Sequence, residues 1–283
     1  MTIERALPDI DARSVFGARE PRKAAREAWR LATDSGLPAD IRKANRKRIP
    51  AGQRGPFDIT VEGLRFRAYP AENRCDRVIV GRGILPEVSE HELLGSFLGN
   101  GAIFIDIGAN VGTYALWAAR RVGPAGLVIA LEPHPRTFAK LEFNRAANGM
   151  ENVRCLNVAA GSHAGTAMLR FDGGGNVGGA SLLADGGIGN GADVAVAVRP
   201  LADILSEEDV RQIDAIKVDV EGYEDRALLP YFDHAPREFW PHTVMIETVL
   251  RDRWERDCLG ELAGHGYERA AGTAENVILH LAR

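Results

Sequence analysis

Cysteine is scarce in this sequence of 283 residues, and the three cysteines lie far apart. Cys75, Cys155 and Cys258 form no C-x-x-C pair, so we expect neither a disulfide framework nor a zinc site. Long apolar runs are also missing, since no stretch approaches the roughly 18 residues of a membrane span. The first residues contain acids and a proline where a signal peptide needs an apolar run. These absences predict a cytoplasmic globular protein.

A strong excess of one charge is absent as well. The 35 basic and 39 acidic residues give a formal net charge of −4, which offers no general attraction for nucleic acid or an anionic membrane. Residues 1–56 are nevertheless rich in arginine and lysine, and they are typical of two short helices. We expect a basic helical arm that packs on the main domain or on a second copy in a homodimer. The alternative is a contact surface for an anionic partner.

The next segment, residues 57–100, changes to an alternating pattern. It predicts a β-hairpin that turns at Glu62-Gly63, a short strand at 76–81 and a helix over 86–98 with Ser89 as its N-cap. From residue 101 to 283, predicted strands and helices alternate. This spacing indicates a doubly wound α/β domain with a mostly parallel sheet and helices on both faces.

A glycine-rich stretch interrupts this alternation at residues 161–200. We expect strand pieces at 167–171 and 194–201 on either side of a long loop at 172–191. Loops of this length in a domain are usually functional lids or poorly ordered segments. The sequence favours neither alternative.

The segment AIFIDIGANVG, residues 102–112, predicts a strand followed by a tight loop that leads into a helix. Gly108 and Gly112 bracket the loop, which suggests that the backbone approaches a ligand closely. A dinucleotide site would need G-x-G-x-x-G, and the middle glycine is missing here. The acid Asp106 suits the ammonium and sulfonium groups of S-adenosylmethionine better than a pyrophosphate. The loop therefore predicts S-adenosylmethionine rather than a nicotinamide dinucleotide.

Glu132 ends the next predicted strand, LVIALEP. A carboxylate at this position can accept hydrogen bonds from both hydroxyls of a ribose. Both cofactor classes use such an acid, so Glu132 indicates a nucleoside-binding fold without choosing between them. The alternative is a surface glutamate that caps the following helix.

A third polar cluster follows in IKVDVEGYE, residues 216–224. Lys217, Asp219 and Glu221 occupy alternate positions, so their side chains project to one side of a strand and its exit. Glu247 ends the following strand and is expected to join them. Acids at the end of an apolar strand are costly to bury without partners or a task. We interpret them as a polar site that contacts the methyl donor and orients or deprotonates an acceptor, the alternative being ion-paired caps of the next helix.

These motifs together resemble the FkbM family of S-adenosylmethionine-dependent methyltransferases. The resemblance covers roughly residues 76–250 and rests on FIDIGANVGTYALWAA, ALEPHPRTFAKLEFN, NVAAGSHAGTAML, GGASLL and IKVDVEGYEDRALLP. It implies the class I methyltransferase fold, which is Rossmann-like and has a mostly parallel seven-stranded sheet with one antiparallel strand near the C-terminus. It also implies O-methylation of hydroxyls on sugars, glycans or natural products.

The resemblance further implies which residues bind the cofactor. They are Asp106, Gly108, Asn110 and Gly112 around the methionine portion, Glu132 and Pro133 at the ribose, Ala159 near the adenine, and Asp219 at the donor. Residues 1–56 and the glycine-rich loop lie outside the shared pattern.

An alcohol hydroxyl needs a base to become a nucleophile at neutral pH. The candidates are Asp219, Glu221, Glu247 and His242, with His134 as a further histidine; we favour Asp219 and Glu221. A divalent cation held by three carboxylates is an open variant, although no metal ligand is assigned. Two other functions stay open, an RNA methyltransferase that uses the basic arm and a non-catalytic cofactor-binding interaction protein.

Overall fold

The computed structural model of this protein describes residues 10–170, 182 and 193–282. Its strands are β1 Phe57–Val61, β2 Leu64–Ala68, β3 Ile103–Ile107, β4 Leu127–Leu131, β5 Val153–Leu156, β6 Ala159–Ala160, β7 Gly165–Leu169, β8 Val194–Arg199, β9 Ala215–Val218, β10 Thr243–Glu247, β11 Tyr267–Gly272 and β12 Asn276–Leu281. Its α-helices are α1 Lys23–Thr33, α2 Ala39–Arg48, α3 Arg74–Arg82, α4 Val88–Gly95, α5 Thr113–Val122, α6 Pro135–Ala147, α7 Leu201–Glu207, α8 Glu224–His234 and α9 Cys258–Gly264.

A seven-stranded sheet with the order β11-β12-β10-β9-β3-β4-β5 forms the centre of the fold. β3, β4, β5, β9 and β10 run parallel, whereas β12 runs antiparallel to both of its neighbours. The strand order reverses between β3 and β9, where a doubly wound sheet opens its ligand crevice. The predicted class I methyltransferase fold is confirmed, including the antiparallel strand near the C-terminus.

Alternate residues of the strands pack into two cores, one on each face of the sheet. Ile105 and Ile216 belong to the core under α7, α8 and α9, and Phe104 and Ala215 belong to the core under α4 and α5. Both faces are apolar because parallel strands are covered by helices on both sides. The carboxylates that line the clefts therefore lie at the carboxyl ends of the strands or just beyond them.

A third apolar core holds the N-terminal region together. Trp29 of α1 is buried there with residues of the β1–β2 hairpin, and its indole N–H donates to the Gln53 carbonyl (2.9 Å). The hairpin turns at Glu62-Gly63 as predicted, with positive φ at both residues. The described part of the basic N-terminal region thus contains two helices, of which α1 packs on the hairpin and on α3, and α2 packs on α1.

The predicted strand at 76–81 is wrong, because these residues belong to α3. The Asn73 side-chain oxygen accepts from the backbone N–H groups of Cys75 and Asp76, which begins the helix. The predicted N-cap at Ser89 is also wrong. Helix α4 begins at Val88, so Ser89 lies inside it, and the capping position is Glu87.

The segment VRCLNVAAG, residues 153–161, which its apolar pattern predicts as one strand, forms two strands instead. β5 belongs to the central sheet, whereas β6 pairs with β8 in a small three-stranded sheet that also contains β7. β7 and β8 pair antiparallel, close to the two predicted strand pieces that flank the glycine-rich loop. The loop itself lies outside the described residues, apart from Leu182. None of the described helices is long and apolar enough to cross a membrane.

Candidate active site

The loop between β3 and α5 has a left-handed backbone at three positions. Gly108, Asn110 and Gly112 have φ values of 83°, 52° and 93°. A Cβ at Gly108 would lie 2.0 Å from the carbonyl oxygen of Asp219, so only glycine fits where this loop passes the end of β9. A Cβ at Gly112 would lie 2.7 Å from Leu141 Cδ1. The glycines thus allow tight packing of the loop and of the following helix.

Glu132 fixes this loop to the end of β4. Its Oε2 accepts from the Asn110 backbone N–H (2.9 Å), and its Oε1 accepts from the His134 N–H (2.8 Å). Each carboxylate oxygen has a second lone pair, so both oxygens retain the capacity to accept from ribose hydroxyls. Burial raises the pKa of Glu132 to about 7.

The alternative of a surface glutamate that caps the next helix does not fit this geometry. Glu132 is buried, and the cap of α6 is His134, whose Nδ1 accepts from the Thr137 N–H (3.2 Å). Burial lowers the pKa of His134 to about 4. His134 therefore has a local structural task at the start of the helix.

A cleft of about 580 Å³, open to solvent, lies at the carboxyl ends of β3 and β4; we call it the cofactor cavity. The sequence-predicted cofactor residues on its wall are Gly108, Asn110, Glu132, Pro133, Ala159 and Asp219. Val158, Leu169 and Tyr223 add apolar and aromatic surface. Six of the eight predicted cofactor residues are therefore brought together on one wall.

The two remaining predicted cofactor residues, Asp106 and Gly112, do not line this cavity. Asp106 is fully buried behind the loop, opposite Lys217 in the register of β3 and β9. Within the described part of the chain, neither Asp106 oxygen has a hydrogen-bond partner, and burial raises the pKa of Asp106 to about 6. Any effect of Asp106 on a ligand must therefore pass through its charge rather than through direct contact.

Lys217 is buried between acids. Its Nζ lies 2.9 Å from Asp219 Oδ2 and 4.6 Å from the centre of the Tyr114 ring. Burial alone would lower the pKa of Lys217, but the carboxylates of Asp219, Asp106 and Glu87 outweigh it and raise the pKa. The ammonium group therefore stays charged and holds Asp219 in place.

A second cleft, of about 630 Å³ and also open to solvent, lies on the other side of the glycine loop; we call it the acidic cavity. It shares Gly108, Asn110, Asp219 and Glu221 with the cofactor cavity. Five carboxylates and two basic side chains line it: Glu87, Asp219, Glu221, Glu247, Glu275, Arg74 and Lys217. The three acids Asp219, Glu221 and Glu247 thus meet at one edge of the sheet, as expected.

Glu247 has a strongly raised pKa. Its Oε2 is buried and has no hydrogen-bond partner among the described residues. Burial, followed by the charges of Asp219 and Glu221, raises the pKa of Glu247 well above its ordinary value. A carboxyl group of this kind exchanges a proton closer to neutral pH than an exposed glutamate does.

His242 does not belong to this site, so its assignment as a catalytic candidate is corrected. It precedes β10, whereas Glu247 ends that strand, and five residues of strand separate the two ends by about 16 Å. The His242 ring is half exposed and lies 3.7 Å from Asp214, at the opposite edge of the sheet. A parallel strand presents only its carboxyl end to the crevice.

Sequence reasoning missed Glu87. Its backbone has φ of 57°, and its Oε2 accepts from the Tyr114 hydroxyl (2.9 Å). Glu87, Asn110 and Glu221 are non-glycine residues with positive φ, and all three line the acidic cavity. Strained backbone of this kind concentrates at functional sites. No pattern in the sequence marks a left-handed glutamate, so this signal exists only in the structure.

The N-terminal region also contacts the glycine loop directly. Asn73, the cap of α3, donates from Nδ2 to Asn110 Oδ1 (2.6 Å). Arg74 and Cys75 follow and line the acidic cavity. In the described part of the chain, no group of three His, Cys, Asp or Glu side chains is arranged to hold a metal ion.

A family model described as the methyltransferase FkbM domain matches residues 106–250. The chain belongs to the FkbM methyltransferase family. The match includes every residue that lines the cofactor cavity, from Ile107 to Tyr223. S-adenosylmethionine is the methyl donor expected for this family, and the residues present fit it. Glu132 would accept from its ribose hydroxyls, and the backbone at Gly108 and Asn110 would lie beside its methionine portion.

Several solved structures are similar to this FkbM methyltransferase in overall shape. The cofactor-bound protein Rv0187 from MTB is 17% identical, with 70% of this chain and 81% of that chain covered and a TM-score of 0.44. A Streptococcus thermophilus rRNA methylase is 12% identical, with 70% and 97% covered and a TM-score of 0.43. An O-methyltransferase from Bacillus cereus in complex with SAH is 14% identical, with 70% and 82% covered and a TM-score of 0.44. None of the curated proteins matches this chain.

Proposed function

We propose that this FkbM methyltransferase transfers a methyl group to a hydroxyl of a sugar, a glycan or another polyhydroxylated small molecule. The observation that carries the proposal is the junction of the two cavities. Gly108, Asn110, Asp219 and Glu221 belong to both walls. A donor in the cofactor cavity and an acceptor in the acidic cavity would meet at these residues.

The side chains of the acidic cavity suit a hydroxylated acceptor. Ionised carboxylates only accept hydrogen bonds, and hydroxyl groups donate them. Two or more carboxylates can therefore fix the orientation of a sugar ring. Holding the reacting oxygen in line with the methyl group is the main requirement of this reaction, because a positioned pair of reactants reacts far faster than two free ones.

S-adenosylmethionine supplies an electrophilic methyl group when it is bound. The hydroxyl proton must pass to a base of this chain. Asp219 is held by Lys217 at 2.9 Å, which suits it to orient the acceptor. Glu247 has a raised pKa and an unpartnered buried oxygen, so its carboxylate is the stronger base once it is ionised at alkaline pH. We therefore assign Glu247 as the general base and Asp219 as the orienting acid.

Calorimetric titration with S-adenosylhomocysteine tests the first half of this proposal, and Glu132→Ala is its control. Transfer of labelled methyl groups to a panel of sugars and polyols tests the second half. We expect tight binding that the substitution weakens, and transfer to at least one polyol. Binding of S-adenosylhomocysteine without transfer to any hydroxyl would rule out O-methylation and favour a non-catalytic role. Preference for an RNA acceptor would favour the alternative that the basic helices suggested.

A further inference from the structure

Helix α3 leads away from the acidic cavity toward the basic helices. Arg74 lines the cavity, and Arg77 follows it at i+3 on the same face of the helix. One turn further on, Gly81 packs against α1. A Cβ there would lie 2.2 Å from Thr33 Oγ1 and 2.5 Å from the Trp29 carbonyl oxygen. The face of α3 thus connects the cavity to the end of α1.

A third arginine reaches the same end of α1 from α2. The Arg46 Nη1 donates to the carbonyl oxygen of Ala32 (3.3 Å), and Ala32 precedes the Thr33 that packs on Gly81. Arg46 also lies near enough to Arg77 for its charge to act on that guanidinium. We call Arg46, Arg74 and Arg77 the arginine strip.

The arginine strip lacks a compensating carboxylate at its centre. Among the described residues, the Arg77 side chain forms neither a hydrogen bond nor an ion pair, although it is only partly exposed. Burial, followed by the charge of Arg46, lowers the pKa of Arg77 to about 10. Burial and the charge of Arg42 likewise lower the pKa of Arg46. Guanidinium groups that repel one another at this position are stabilised by an oxyanion, which they bind in a bidentate manner.

The acid next to Arg77 in the sequence, Asp76, acts on Arg77 through its charge but forms no ion pair with it among the described residues. Asp76 is fully buried and its Oδ2 accepts from the Tyr69 backbone N–H (2.8 Å). Burial raises the pKa of Asp76 to about 6. By contrast, Arg30 on α1 forms an ion pair with Glu27 (2.8 Å). Arg77 thus differs from an arginine such as Arg30, whose charge is balanced by a neighbouring carboxylate.

We propose that the arginine strip binds the phosphate of a phosphorylated acceptor whose hydroxyl-bearing end lies in the acidic cavity. The acceptor class is a phosphate or diphosphate ester of a sugar or similar polyol. Arg74 and Arg77 are about one helical turn, or 5 Å, apart along α3, which is comparable to the width of a sugar ring. This inference rests on the proposed function, because it extends the acceptor side of the same site.

Titration of pyrophosphate into the protein saturated with S-adenosylhomocysteine tests the arginine strip without any turnover. We compare the wild type with Arg77→Gln, Arg46→Gln and the charge-conserving Arg77→Lys. Arg30→Gln is the matched control, since it removes a guanidinium that already has a carboxylate partner. We expect both glutamine variants to weaken pyrophosphate binding about tenfold or more, Arg77→Lys to weaken it less, and Arg30→Gln to leave it unchanged. Unaltered affinity for S-adenosylhomocysteine shows that each variant is folded.

Equal pyrophosphate affinity in the wild type and the glutamine variants would overturn the proposal, as would no binding at all. A second arm uses a short single-stranded RNA. The proposal would also be overturned if the wild type bound RNA in a salt-dependent way, the glutamine variants did not, and pyrophosphate failed to compete with the RNA. That result would favour a nucleic-acid surface. A third arm compares transfer to phosphorylated and unphosphorylated sugars. Transfer only to unphosphorylated sugars would contradict this inference while leaving the proposed function intact, and lack of transfer to both would contradict the proposed function.

Discussion

The two cavities of this protein differ in which parts of the chain build them. The cofactor cavity is lined by residues from Ile107 to Tyr223, all within the FkbM domain match. The acidic cavity adds Arg74, Cys75 and Glu87 from before the match and Glu275 from after it. Cofactor recognition thus belongs to the part of the chain shared with the family. The acidic cavity takes four of its thirteen lining residues from outside the match, and these four are where we expect specificity for an acceptor to vary.

Glu247→Gln should have the largest effect on activity, and Glu247 lines the acidic cavity but not the cofactor cavity. General-base catalysis contributes about 10²–10⁴-fold, so we expect kcat to fall by that factor while the affinity for S-adenosylhomocysteine stays the same. In the wild type, kcat should rise with pH through the raised pKa of Glu247, since only the carboxylate accepts the proton. The pH profile of the variant should be flat in that range. Loss of S-adenosylhomocysteine binding would show that the cavities do not act separately.

The same substitution predicts an effect on stability. A carboxyl group whose pKa is raised by folding stabilises the native state below its unfolded pKa, near 4, and this contribution is lost as pH rises toward the folded pKa. Glu247→Gln carries no charge at any pH. Thermal denaturation should therefore show the variant gaining stability relative to the wild type between about pH 5 and pH 8. If the stability difference between the variant and the wild type stayed constant across this pH window, Glu247 would not have a raised pKa in the folded protein.

Gly108→Ala distorts the glycine loop, which lines both cavities. A Cβ would meet the Asp219 carbonyl at 2.0 Å in a backbone with φ of 83°, and overpacking with left-handed strain costs about 3 kcal/mol. We expect both a lower melting temperature and a loss of S-adenosylhomocysteine affinity of about 100-fold. Gly99→Ala is the matched control, because no atom lies within 4 Å of its Cβ. Equal behaviour of the two variants would mean that the close approach at Gly108 is not a constraint.

Glu132 lines the cofactor cavity and not the acidic cavity, so Glu132→Gln tests the cofactor side. It replaces a carboxylate that accepts from two backbone N–H groups, and hydrogen bonds to charged groups contribute about 1.5–3 kcal/mol. We expect calorimetry to give an affinity for S-adenosylhomocysteine reduced about 10- to 100-fold. The KM for the acceptor, measured at a saturating concentration of the methyl donor, should change little. A larger effect on the acceptor than on the cofactor would contradict the division between the cavities.

Tyr114→Phe gives the smallest expected effect. It removes the hydroxyl that donates to Glu87, and one such bond contributes about 1 kcal/mol. The KM for the acceptor should rise about fivefold at unchanged cofactor affinity. Tyr231→Phe is the control, since its hydroxyl donates to the Phe239 carbonyl (2.7 Å) and Tyr231 lines neither cavity. If both variants had the same KM as the wild type, Glu87 would not need this bond to bind the acceptor.

Periodicity and spacing alone were enough to predict much of the fold. The glycine loop after β3 could be recognised because a strand, two glycines and a helix follow one another within a few residues. Local patterns were misleading at 76–81, where β-branched residues suggested a strand. The Asn73 cap and the packing of Gly81 on α1 make this segment a helix instead. A tertiary contact between helices overrides such weak local preferences.

Sequence patterns alone predict the doubly wound sheet, the glycine loop and the carboxylates at the strand ends, because each depends on neighbours a few positions apart. Three other features follow from the folded structure: Glu87 and Glu275 share a cavity with Asp219, Asp106 is buried behind the loop, and His242 lies at the far edge of the sheet. Such juxtapositions depend on how distant elements pack and on which way each strand runs. No local periodicity encodes the packing of segments that are a hundred or more residues apart.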